Sequence, residues 1–341
     1  MSYHLDPLLN ADVNELNGKS ILITGGTGSF GQAFAKMLLQ KYQPKKVVLL
    51  SRDEQKHYAL QQTMKDHRLR FFVGDIRDKD RLRRAFSEID YVFHAAAMKH
   101  VHIAEYNPIE AIRTNVDGAA NVIDAAIECG VKRVVALSTD KAVNPVNLYG
   151  ATKLCMEKLF VAANSYSGEN GPQFDLVRYG NVVGSKGSVV PLFLKQKEQG
   201  QLTITEPSMT RFWIGMERAL DLVLLALSQG QGGEVFIPKL PACDVQTLAQ
   251  AVAPDTAIQS IGIRLGEKMH ETLITEDESL NAVEYDQYYV VRPNFTSWQT
   301  TERTDGKACT ERFSYSSDIT YQLNVEETRS LLVQFGFLDP N

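Results

Sequence analysis

The sequence predicts an α/β protein in which a doubly wound parallel sheet is followed by a smaller, mixed C-terminal part. Three observations lead to this prediction. Short apolar runs alternate with longer amphipathic stretches from Lys19 to about Arg178, a glycine-rich turn follows the first apolar run, and the alternation stops after Arg178. Strands that alternate with helices join through right-handed crossovers, which cover both faces of a parallel sheet with helices.

Six apolar runs are the predicted parallel strands. Each run is short and nearly continuously apolar, as in strands that are covered on both faces. The runs comprise residues 21–23, 47–50, 71–73, 91–93, 134–137 and 174–177. The stretches between them predict helices over residues 30–42, 55–66, 78–86 and 116–128, and a long helix within residues 145–166 that is entered through Asn147 as its N-cap.

Beyond residue 180 the regular alternation of short apolar runs and longer helical stretches stops. Glycines and a proline interrupt residues 180–200, after which the pattern predicts a helix over 217–227, a strand over 234–237 and a helix over 245–253. Residues 294–318 are polar and rich in Thr and Ser, which predicts an exposed extension. We therefore expect two parts, residues 1–178 and 179–341, with a soft boundary that leaves room for interleaving.

The overall composition narrows the class of protein. The 341 residues suffice for about two domains of roughly 150 residues each. Hydrophobic residues make up 44% and charged residues 23%, which is typical of globular proteins and excludes a disordered chain. With 36 Lys and Arg against 41 Asp and Glu, the net charge is −5. An acidic chain lacks the basic field that binding to a phosphate backbone needs, so we expect no nucleic-acid partner.

The sequence also bears on the compartment of the protein. No apolar run approaches the roughly 20 residues of a membrane span, and residues 1–9 have neither the basic start nor the apolar core of a signal peptide. The four cysteines are far apart and lack metal-type spacing; they are Cys129, Cys155, Cys243 and Cys309. Isolated thiols are typical of a reducing compartment. We expect a cytoplasmic protein with no membrane partner and no bound metal.

The glycine-rich turn after the first strand has the pattern of a dinucleotide-binding loop. Glycines recur every three residues at positions 25, 28 and 31, and residues 26–31 match G-x-G-x-x-G. Such glycines let the backbone approach a pyrophosphate, which then lies on the N–H groups of the following helix. A plain strand-to-helix turn is the alternative. The context favours a Rossmann-type fold over residues 1–178, with cofactor contacts at Gly25, Thr27, Gly28, Ser29, Phe30 and Gly31.

The end of the second strand indicates which dinucleotide binds. A carboxylate at this position would accept the ribose 2′-hydroxyl of NAD, whereas this chain has Ser51 and Arg52. Because a guanidinium suits a 2′-phosphate, we expect NADP rather than NAD. The alternative for Arg52 is a surface ion pair. Further cofactor contacts are predicted at the ends of the second to fourth strands, at Ser51, Arg52, Asp53, Lys56, Asp75, Ile76 and Ala95.

A reactive group of side chains is predicted after the fifth strand. Thr139, Asp140 and Lys141 follow that strand, and Tyr149 and Lys153 lie one helical turn apart on one face of the next helix. An ammonium near a phenol lowers the pKa of the phenol. The phenolate of Tyr149 then takes a hydroxyl proton while a nicotinamide takes a hydride from the same carbon. A surface Tyr–Lys pair is the alternative. Tyr149 and Lys153 are also predicted cofactor contacts.

On these residues the chain resembles the extended short-chain dehydrogenases/reductases that act on nucleotide sugars. The triplet Thr139–Lys141 is similar to that of the inverting UDP-N-acetylglucosamine 4,6-dehydratases of pseudaminic acid synthesis, whereas retaining 4,6-dehydratases have Thr-Asp-Glu there. The resemblance extends from about residue 19 to residue 289 and ends by about Pro293. It includes residues 51–54, 97–101, 178–185, 209–212 and 266–271.

The resemblance implies an NADP-dependent hydro-lyase. Oxidation at carbon 4 of the sugar acidifies the carbon 5 proton, water leaves from carbon 6, the hydride returns to carbon 6, and carbon 5 is inverted. The product is a UDP-4-keto-6-deoxy-L-hexosamine. Thr139 is expected to bond the carbon 4 oxygen. Lys141 is the expected neutral base, its pKa lowered by desolvation and by a cationic nicotinamide, and Asp140 is the expected protonated acid. A solvated ion pair of Asp140 and Lys141 is the alternative.

The resemblance also implies partners. A UDP-sugar is the expected substrate, with contacts at Lys99, Asn181 and Arg211, since cations and amides suit a diphosphate. A homo-oligomer that pairs through the helices near residues 116–128 and 147–163 is expected by analogy.

Three histidines, His94, His100 and His102, lack the additional ligands of a metal site, so packed or hydrogen-bonded histidines are expected.

Two other functions compete with the dehydratase. A UDP-hexose 4-epimerase of the same superfamily would need no base beyond the tyrosine, and it would leave Asp140 and Lys141 without a role. A catalytically silent nucleotide-sensing protein would have no use for the reactive set of Thr139, Tyr149 and Lys153. The sequence therefore favours the dehydratase.

Overall fold

The computed structural model describes residue 8 and residues 13–168, 170–185, 188–294 and 303–340. Within these ranges the strands are β1 Ser20–Thr24, β2 Lys46–Ser51, β3 Leu69–Val73, β4 Tyr91–His94, β5 Arg133–Leu137, β6 Gln173–Val177, β7 Asn181–Val182, β8 Gln201–Ile204, β9 Thr210–Ile214, β10 Val235–Pro238, β11 Ala242–Asp244, β12 Ala257–Ser260, β13 Thr272–Ile274, β14 Ala282–Glu284, β15 Tyr288–Val291, β16 Lys307–Ala308 and β17 Tyr315–Ser316.

The helices alternate with the strands in the first half of the chain. They are α1 Ser29–Lys41, α2 Glu54–Thr63, α3 Lys79–Phe86, α4 Val101–Tyr106, α5 Pro108–Ile112, α6 Gly118–Glu128, α7 Leu148–Ala163, α8 Val189–Glu198, α9 Met216–Gln229, α10 Val245–Val252, α11 Glu276–Ser279 and α12 Val325–Gln334. Asn147 caps α7 as predicted, because its side chain accepts the N–H of Gly150. A π-helical turn, Arg113–Asp117, joins α5 to α6.

A ten-stranded sheet forms the centre of the molecule, in the order β16-β14-β15-β10-β6-β5-β4-β1-β2-β3. The six predicted strands and β10 pair in parallel, whereas β14, β15 and β16 are antiparallel. This confirms the α/β fold with a doubly wound parallel sheet. Because β10 comes from beyond residue 178, the sheet uses strands from both predicted parts, and the division at residue 178 stays a prediction.

A second, smaller core lies in the C-terminal part. It is built on the three-stranded sheet β11-β9-β7 and the pair β12-β8, against which α8, α10 and α12 pack. Its buried side chains include Val190, Phe193, Leu202, Trp213, Leu248 and Leu332. The helix α8 was missed because the glycines and proline around it were interpreted as loop signals. Glycine and proline occur at helix ends as well as in loops. Only the apolar periodicity of the residues between them could have distinguished the helix from a loop.

The prediction of an exposed extension over residues 294–318 is wrong for Arg303 and for residues 315–317, which are buried, whereas most of the residues from 304 to 312 are exposed as predicted. Arg303 and Glu234 form a buried ion pair, with Nη2 2.7 Å from Oε2, and Tyr315 and Ser317 are buried. A polar composition does not exclude burial when each polar group finds a partner. Residues 295–302 and, apart from Leu8, residues 1–9 lie outside the described residues. Across the described part of the chain, we find no helix that combines the length and apolarity of a membrane span.

Candidate active site

The carboxyl ends of the parallel strands gather the predicted site at one edge of the sheet. The glycine loop follows β1, Arg52 follows β2, Asp75 follows β3, and Thr139 follows β5. Adjacent parallel strands bring such loops side by side, at the position where doubly wound sheets bind ligands. The topology therefore assembles into one crevice side chains that are more than 100 residues apart in the sequence.

The glycine loop is shaped so that only glycine fits at two positions. Gly25 has φ +68°, and a Cβ there would lie 2.9 Å from the backbone nitrogen of Ala96. A Cβ on Gly31 would lie 2.6 Å from the Cα of Gly26. Helix α1 begins at Ser29, and no side chain caps its first N–H groups. This backbone cradle with uncapped N–H groups fits a dinucleotide pyrophosphate.

The glycine loop is hydrogen-bonded through Thr27 to Ser51 at the end of β2. The hydroxyls of Thr27 and Ser51 lie 2.8 Å apart, and Ser51 Oγ lies 3.0 Å from His57 Nε2. Phe30 stacks on Phe34 in the core, with ring centroids 5.4 Å apart. The structure thus brings together Thr27 and Ser51, two of the predicted cofactor contacts, whereas the ring of Phe30 packs against the helix.

The basic and acidic side chains after β2 largely bind one another. The Arg52 side chain is 57% exposed, with Nη1 3.7 Å from Asp75 Oδ2. Asp53 caps α2, and its carboxylate lies 2.8 Å from Lys56 Nζ; this contact lowers the pKa of Asp53. Of the two cations after β2, Arg52 is therefore the more available for a ligand, because Lys56 is already paired with Asp53 at 2.8 Å.

The remaining predicted cofactor contacts line the crevice beneath the loop. Asp75 accepts two hydrogen bonds from Arg77, at 2.9 and 2.7 Å. Burial alone would raise the pKa of Asp75, but Arg77 holds it below its usual range. Ile76 is buried. The backbone N–H of Ala95 donates to the carbonyl of Thr24, which fixes the strand end behind Gly25.

The triplet after β5 forms a compact hydrogen-bonded turn. Thr139 Oγ1 donates to Asp140 Oδ1 at 3.0 Å, and Lys141 Nζ donates to the same oxygen, also at 3.0 Å. Asp140 is fully buried, and its other oxygen, Oδ2, has no hydrogen-bond partner within the described structure. The backbone N–H of Asp140 donates to the carbonyl of Tyr179, which ties the turn to the end of β6.

The charges of this turn match one expectation and contradict another. Burial raises the pKa of Asp140, as expected, and the nearby carboxylate of Glu271 adds to the rise. For Lys141 the expected decrease is wrong in this structure. Burial alone would lower the pKa of Lys141, but the carboxylates of Asp140 and Glu271 outweigh it and raise that pKa above its usual value. Asp140 and Lys141 therefore form a buried ion pair rather than a solvated one.

The Lys153 ammonium has no hydrogen bond to Tyr149 within the described structure, although the i, i+4 spacing places the two residues on one face of α7. Its Nζ donates to the carbonyl of Leu137 at 2.6 Å, and burial lowers the pKa of Lys153 to about 8. Burial raises the pKa of Tyr149 to about 12, opposed by Lys141 and by a hydrogen bond with Thr139. The ammonium is therefore bound to a backbone carbonyl at the end of β5.

Two of the three predicted substrate residues lie beside Lys141. Asn181 Oδ1 accepts from Lys141 Nζ at 3.4 Å. Arg211 donates to the backbone carbonyls of Thr210 and Met269, at 2.7 and 3.2 Å. Lys99 lies after β4 and has no hydrogen bond to either residue within the described structure, and burial lowers its pKa.

Sequence reasoning missed several charged residues around the site. Glu271 and Lys268 lie at its centre; both belong to the stretch 266–271 that the resemblance includes, but neither was assigned a role. Arg178 is buried between Glu157 and Glu278, with Nη2 2.6 and 2.9 Å from their carboxylates. Glu157 also accepts the hydroxyl of Ser138 at 2.5 Å, which fixes the end of β5. Glu157 lies one turn after Lys153 on α7, a spacing that could have indicated it.

Of the three histidines, His94 is held by packing and a hydrogen bond, whereas His100 and His102 are exposed. His94 is fully buried, its Nδ1 lies 2.9 Å from Thr24 Oγ1, and burial lowers its pKa to about 3. The rings of His100 and His102 lie 6.2 Å apart. Among the residues that the structure describes, no group of three or more His, Cys, Asp or Glu side chains is arranged to hold a metal ion.

Comparison with known proteins adds independent findings. A profile of the polysaccharide biosynthesis protein family matches residues 21–293. The inverting UDP-N-acetylglucosamine 4,6-dehydratase of Campylobacter jejuni subsp. jejuni (strain 81-176) is 50% identical over 313 residues, 89% of this chain and 93% of the relative. UDP-glucose 4-epimerase of Rickettsia canadensis is 40% identical over 330 residues, 94% and 97% of the two chains. The X-ray structure of Pen from Bacillus thuringiensis has a TM-score of 0.89 at 40% identity, covering 95% and 99% of the two chains.

Proposed function

The chain belongs to the family of polysaccharide biosynthesis proteins, and from this premise we propose that it is a nucleotide-sugar 4,6-dehydratase acting on UDP-N-acetylglucosamine with inversion at carbon 5. The resemblance that the motifs predicted is thereby confirmed at the level of family. The reaction is a hydro-lyase reaction, which gives a UDP-4-keto-6-deoxy-L-hexosamine and serves as the first step of pseudaminic acid synthesis.

One observation carries the proposal: the buried hydrogen bond between Lys141 Nζ and Asp140 Oδ1, 3.0 Å long. A single proton that moves along this bond turns an ammonium and a carboxylate into a neutral amine and a neutral carboxylic acid. Those two groups are the base and the acid that water elimination requires. Such a pair titrates as a unit, so a raised pKa of Lys141 alone does not prevent it from acting as a base.

The other side chains have distinct roles in the proposed reaction. Tyr149, with Thr139 beside it, removes the proton of the carbon 4 hydroxyl. Lys141 then takes the proton at carbon 5, and Asp140 protonates the departing carbon 6 hydroxyl. The Oδ2 atom of Asp140 supports this role, because it is buried without a partner within the described structure. Asn181 and Arg211 flank Lys141 and are the proposed sugar and phosphate contacts, with Lys99 as a further one.

A nicotinamide dinucleotide, when bound, accepts the hydride from carbon 4 and returns it to carbon 6. The residues proposed to hold it are those of the glycine loop and of the following strand ends. Lys153 of α7, whose ammonium lies at the end of β5, is a further proposed contact. We propose NADP over NAD because the exposed Arg52 suits a 2′-phosphate. Compared dissociation constants for NADP and NAD test this preference.

The decisive experiment is incubation of the protein with NADP and UDP-N-acetylglucosamine in deuterated water. We expect a 4-keto-6-deoxy product that carries deuterium at carbon 5, detected by mass and proton spectra, because inversion requires that a proton derived from solvent is added to carbon 5 on the face opposite to Lys141. A 4-epimer formed without loss of water would instead favour the UDP-hexose 4-epimerase. The 40% identity to the Rickettsia epimerase supports this alternative. Binding of NADP without any product would favour a nucleotide-sensing protein.

We further propose a cytoplasmic homo-oligomer that pairs through α6 and α7, the helices predicted from the sequence, extended by the neighbouring helices α4 and α5. Side chains of α4 and α5 leave apolar surface exposed there, including Tyr106 at 87% and Ile109 at 58%. Sedimentation of the wild-type protein and of a Tyr106→Glu/Ile109→Glu variant tests this. We expect the charged variant to dissociate, and an unchanged sedimentation coefficient would contradict the proposed interface.

A further inference from the structure

A carboxylate outside the predicted site lies among its charged groups. Glu271 is buried, with 2% of its side chain exposed. Its Oε1 lies 3.1 Å from Lys141 Nζ and 3.9 Å from Arg211 Nε, and its Oε2 lies 3.5 Å from Lys268 Nζ. One carboxylate therefore faces three cations, two of which the proposed function places against the substrate.

The backbone of Glu271 is fixed independently of these cations. Its N–H donates to Ser317 Oγ at 2.9 Å, and its carbonyl accepts the N–H of Ser317 at 2.8 Å. Ser317 Oγ lies 2.7 Å from Thr210 Oγ1, which lies 2.8 Å from His270 Nδ1. These bonds hold Glu271 on the C-terminal part of the chain, so it provides a fixed point against which Lys141 is oriented.

The Lys141 ammonium has an acceptor for each of its three protons. These are Asp140 Oδ1 at 3.0 Å, Glu271 Oε1 at 3.1 Å and Asn181 Oδ1 at 3.4 Å. A lysine side chain that carries one ion pair still rotates through several rotamers. Three acceptors on different segments remove that freedom and direct the nitrogen to one position.

We infer that Glu271 is a positioning residue, which orients the Lys141 amine beside the Asp140 carboxyl and links it to the Arg211 guanidinium. The inference rests on the proposed function, because the reaction assigns Lys141 its task. Glu271 acts through Lys141 and takes no proton from the sugar itself. Through Oε1, Glu271 contacts both Lys141, which is the proposed base, and Arg211, which is a proposed phosphate contact.

Charge makes this role measurable by pH. The charged groups that face Lys141 are Asp140, Glu271 and Arg211, and the phenol of Tyr149 lies near. The Glu271 charge raises the pKa of both Lys141 and Asp140. An amide in its place stabilises the ammonium less and repels the Asp140 carboxylate less, so both pKa values fall. The pH range in which the pair holds a single proton then moves as a whole to lower pH.

The test compares the pH profiles of kcat/KM for the wild-type protein, Glu271→Gln and Glu271→Asp. We expect both limbs of the bell-shaped profile of Glu271→Gln to move to lower pH by about one unit, the shift typical of removing a charge within hydrogen-bond distance. Glu271→Asp keeps the charge, so its limbs stay in place while kcat falls. Glu284→Gln is the matched control, because Glu284 pairs with Lys239 at the other end of the sheet, and its profile should not change.

Each outcome supports or overturns the inference. Lower activity of Glu271→Gln with both limbs in place would show a merely structural role and overturn it. If circular dichroism shows Glu271→Gln to be unfolded, Glu271→Asp decides, since full kcat in that variant contradicts a positioning role. Absence of a 4-keto-6-deoxy product from the wild-type protein at every pH would refute the proposed function instead, so the two failures are distinguishable.

Discussion

The state of Lys141 depends on its immediate neighbours. Burial acts against the ammonium, whereas two carboxylates within 3.1 Å act for it, and the carboxylates prevail. One pKa unit corresponds to about 1.4 kcal/mol, so small changes in these contacts shift the balance between the ion pair and the neutral pair. In the proposed reaction, the neutral pair is reached by a proton transfer over the one hydrogen bond between Lys141 and Asp140.

Lys141→Ala tests the base directly. We expect the rate of water elimination to fall about 10²–10⁴-fold, the usual contribution of a general acid–base residue, while NADP binding is retained because the glycine loop is untouched. Product formation is followed by mass spectrometry and cofactor binding by fluorescence titration. Lys239→Ala, which removes a lysine paired with Glu284, is the control and should keep full activity. Unimpaired turnover of Lys141→Ala would favour the epimerase.

At the scale of elements, the turn between β1 and α1 leaves no room for a side chain at Gly25. Gly25 needs a positive φ and at the same time lies against the backbone of Ala96 after β4. The turn therefore joins two neighbouring strand ends and leaves the first N–H groups of α1 without a side-chain cap. A larger residue would act on both the fold and the proposed phosphate site.

Gly25→Ala should lower the free energy of unfolding by about 1–3 kcal/mol, the typical cost of strained backbone, and should weaken NADP binding at least tenfold. Gly130→Ala is a matched control, since Gly130 has φ +69° but no atom within 4 Å of the added Cβ. It should cost only about 1–2 kcal/mol through its left-handed backbone and leave NADP affinity unchanged. Urea unfolding and cofactor titration provide both readouts. Equal NADP affinity in the two variants would contradict the assigned loop.

At the scale of the whole molecule, residues from the C-terminal part of the chain contact both the central sheet and the candidate site. Arg303 pairs with Glu234 beside β10, and Ser317 holds the backbone of Glu271 beside the triplet after β5. These contacts bridge 69 and 46 residues of sequence. The C-terminal part therefore stabilises the sheet and supplies charged groups to the active-site crevice.

Arg303→Met tests the contribution of this returning segment. The substitution leaves the carboxylate of Glu234 buried without its cation, which typically costs about 3–5 kcal/mol. We expect the midpoint of urea unfolding to fall accordingly, and the double variant Arg303→Met/Glu234→Gln to recover most of the loss because no charge is then left unpaired. A single variant as stable as the wild-type protein would show that the pair contributes little.

Much of the architecture follows from local pattern. Apolar runs and their spacing predicted all six parallel strands of the first half, and Asn147 predicted the start of α7. The triplet after β5 and the glycine loop also stand out in the sequence, because their chemistry depends on neighbouring residues. By contrast, the burial of Arg303 and of residues 315–317 was missed, since it depends on partners that are distant in sequence.

By itself, then, the sequence determined the α/β fold, the glycine loop and the position of the triplet Thr139–Lys141 proposed to be reactive, because period and short spacing are local properties of the chain. Only the tertiary structure decided the charges of the site. It directs Lys153 to a strand end instead of Tyr149, and it sets Glu271 against Lys141 across 130 residues. Electrostatic interaction depends on distance and burial in space, and neither can be read from residue order.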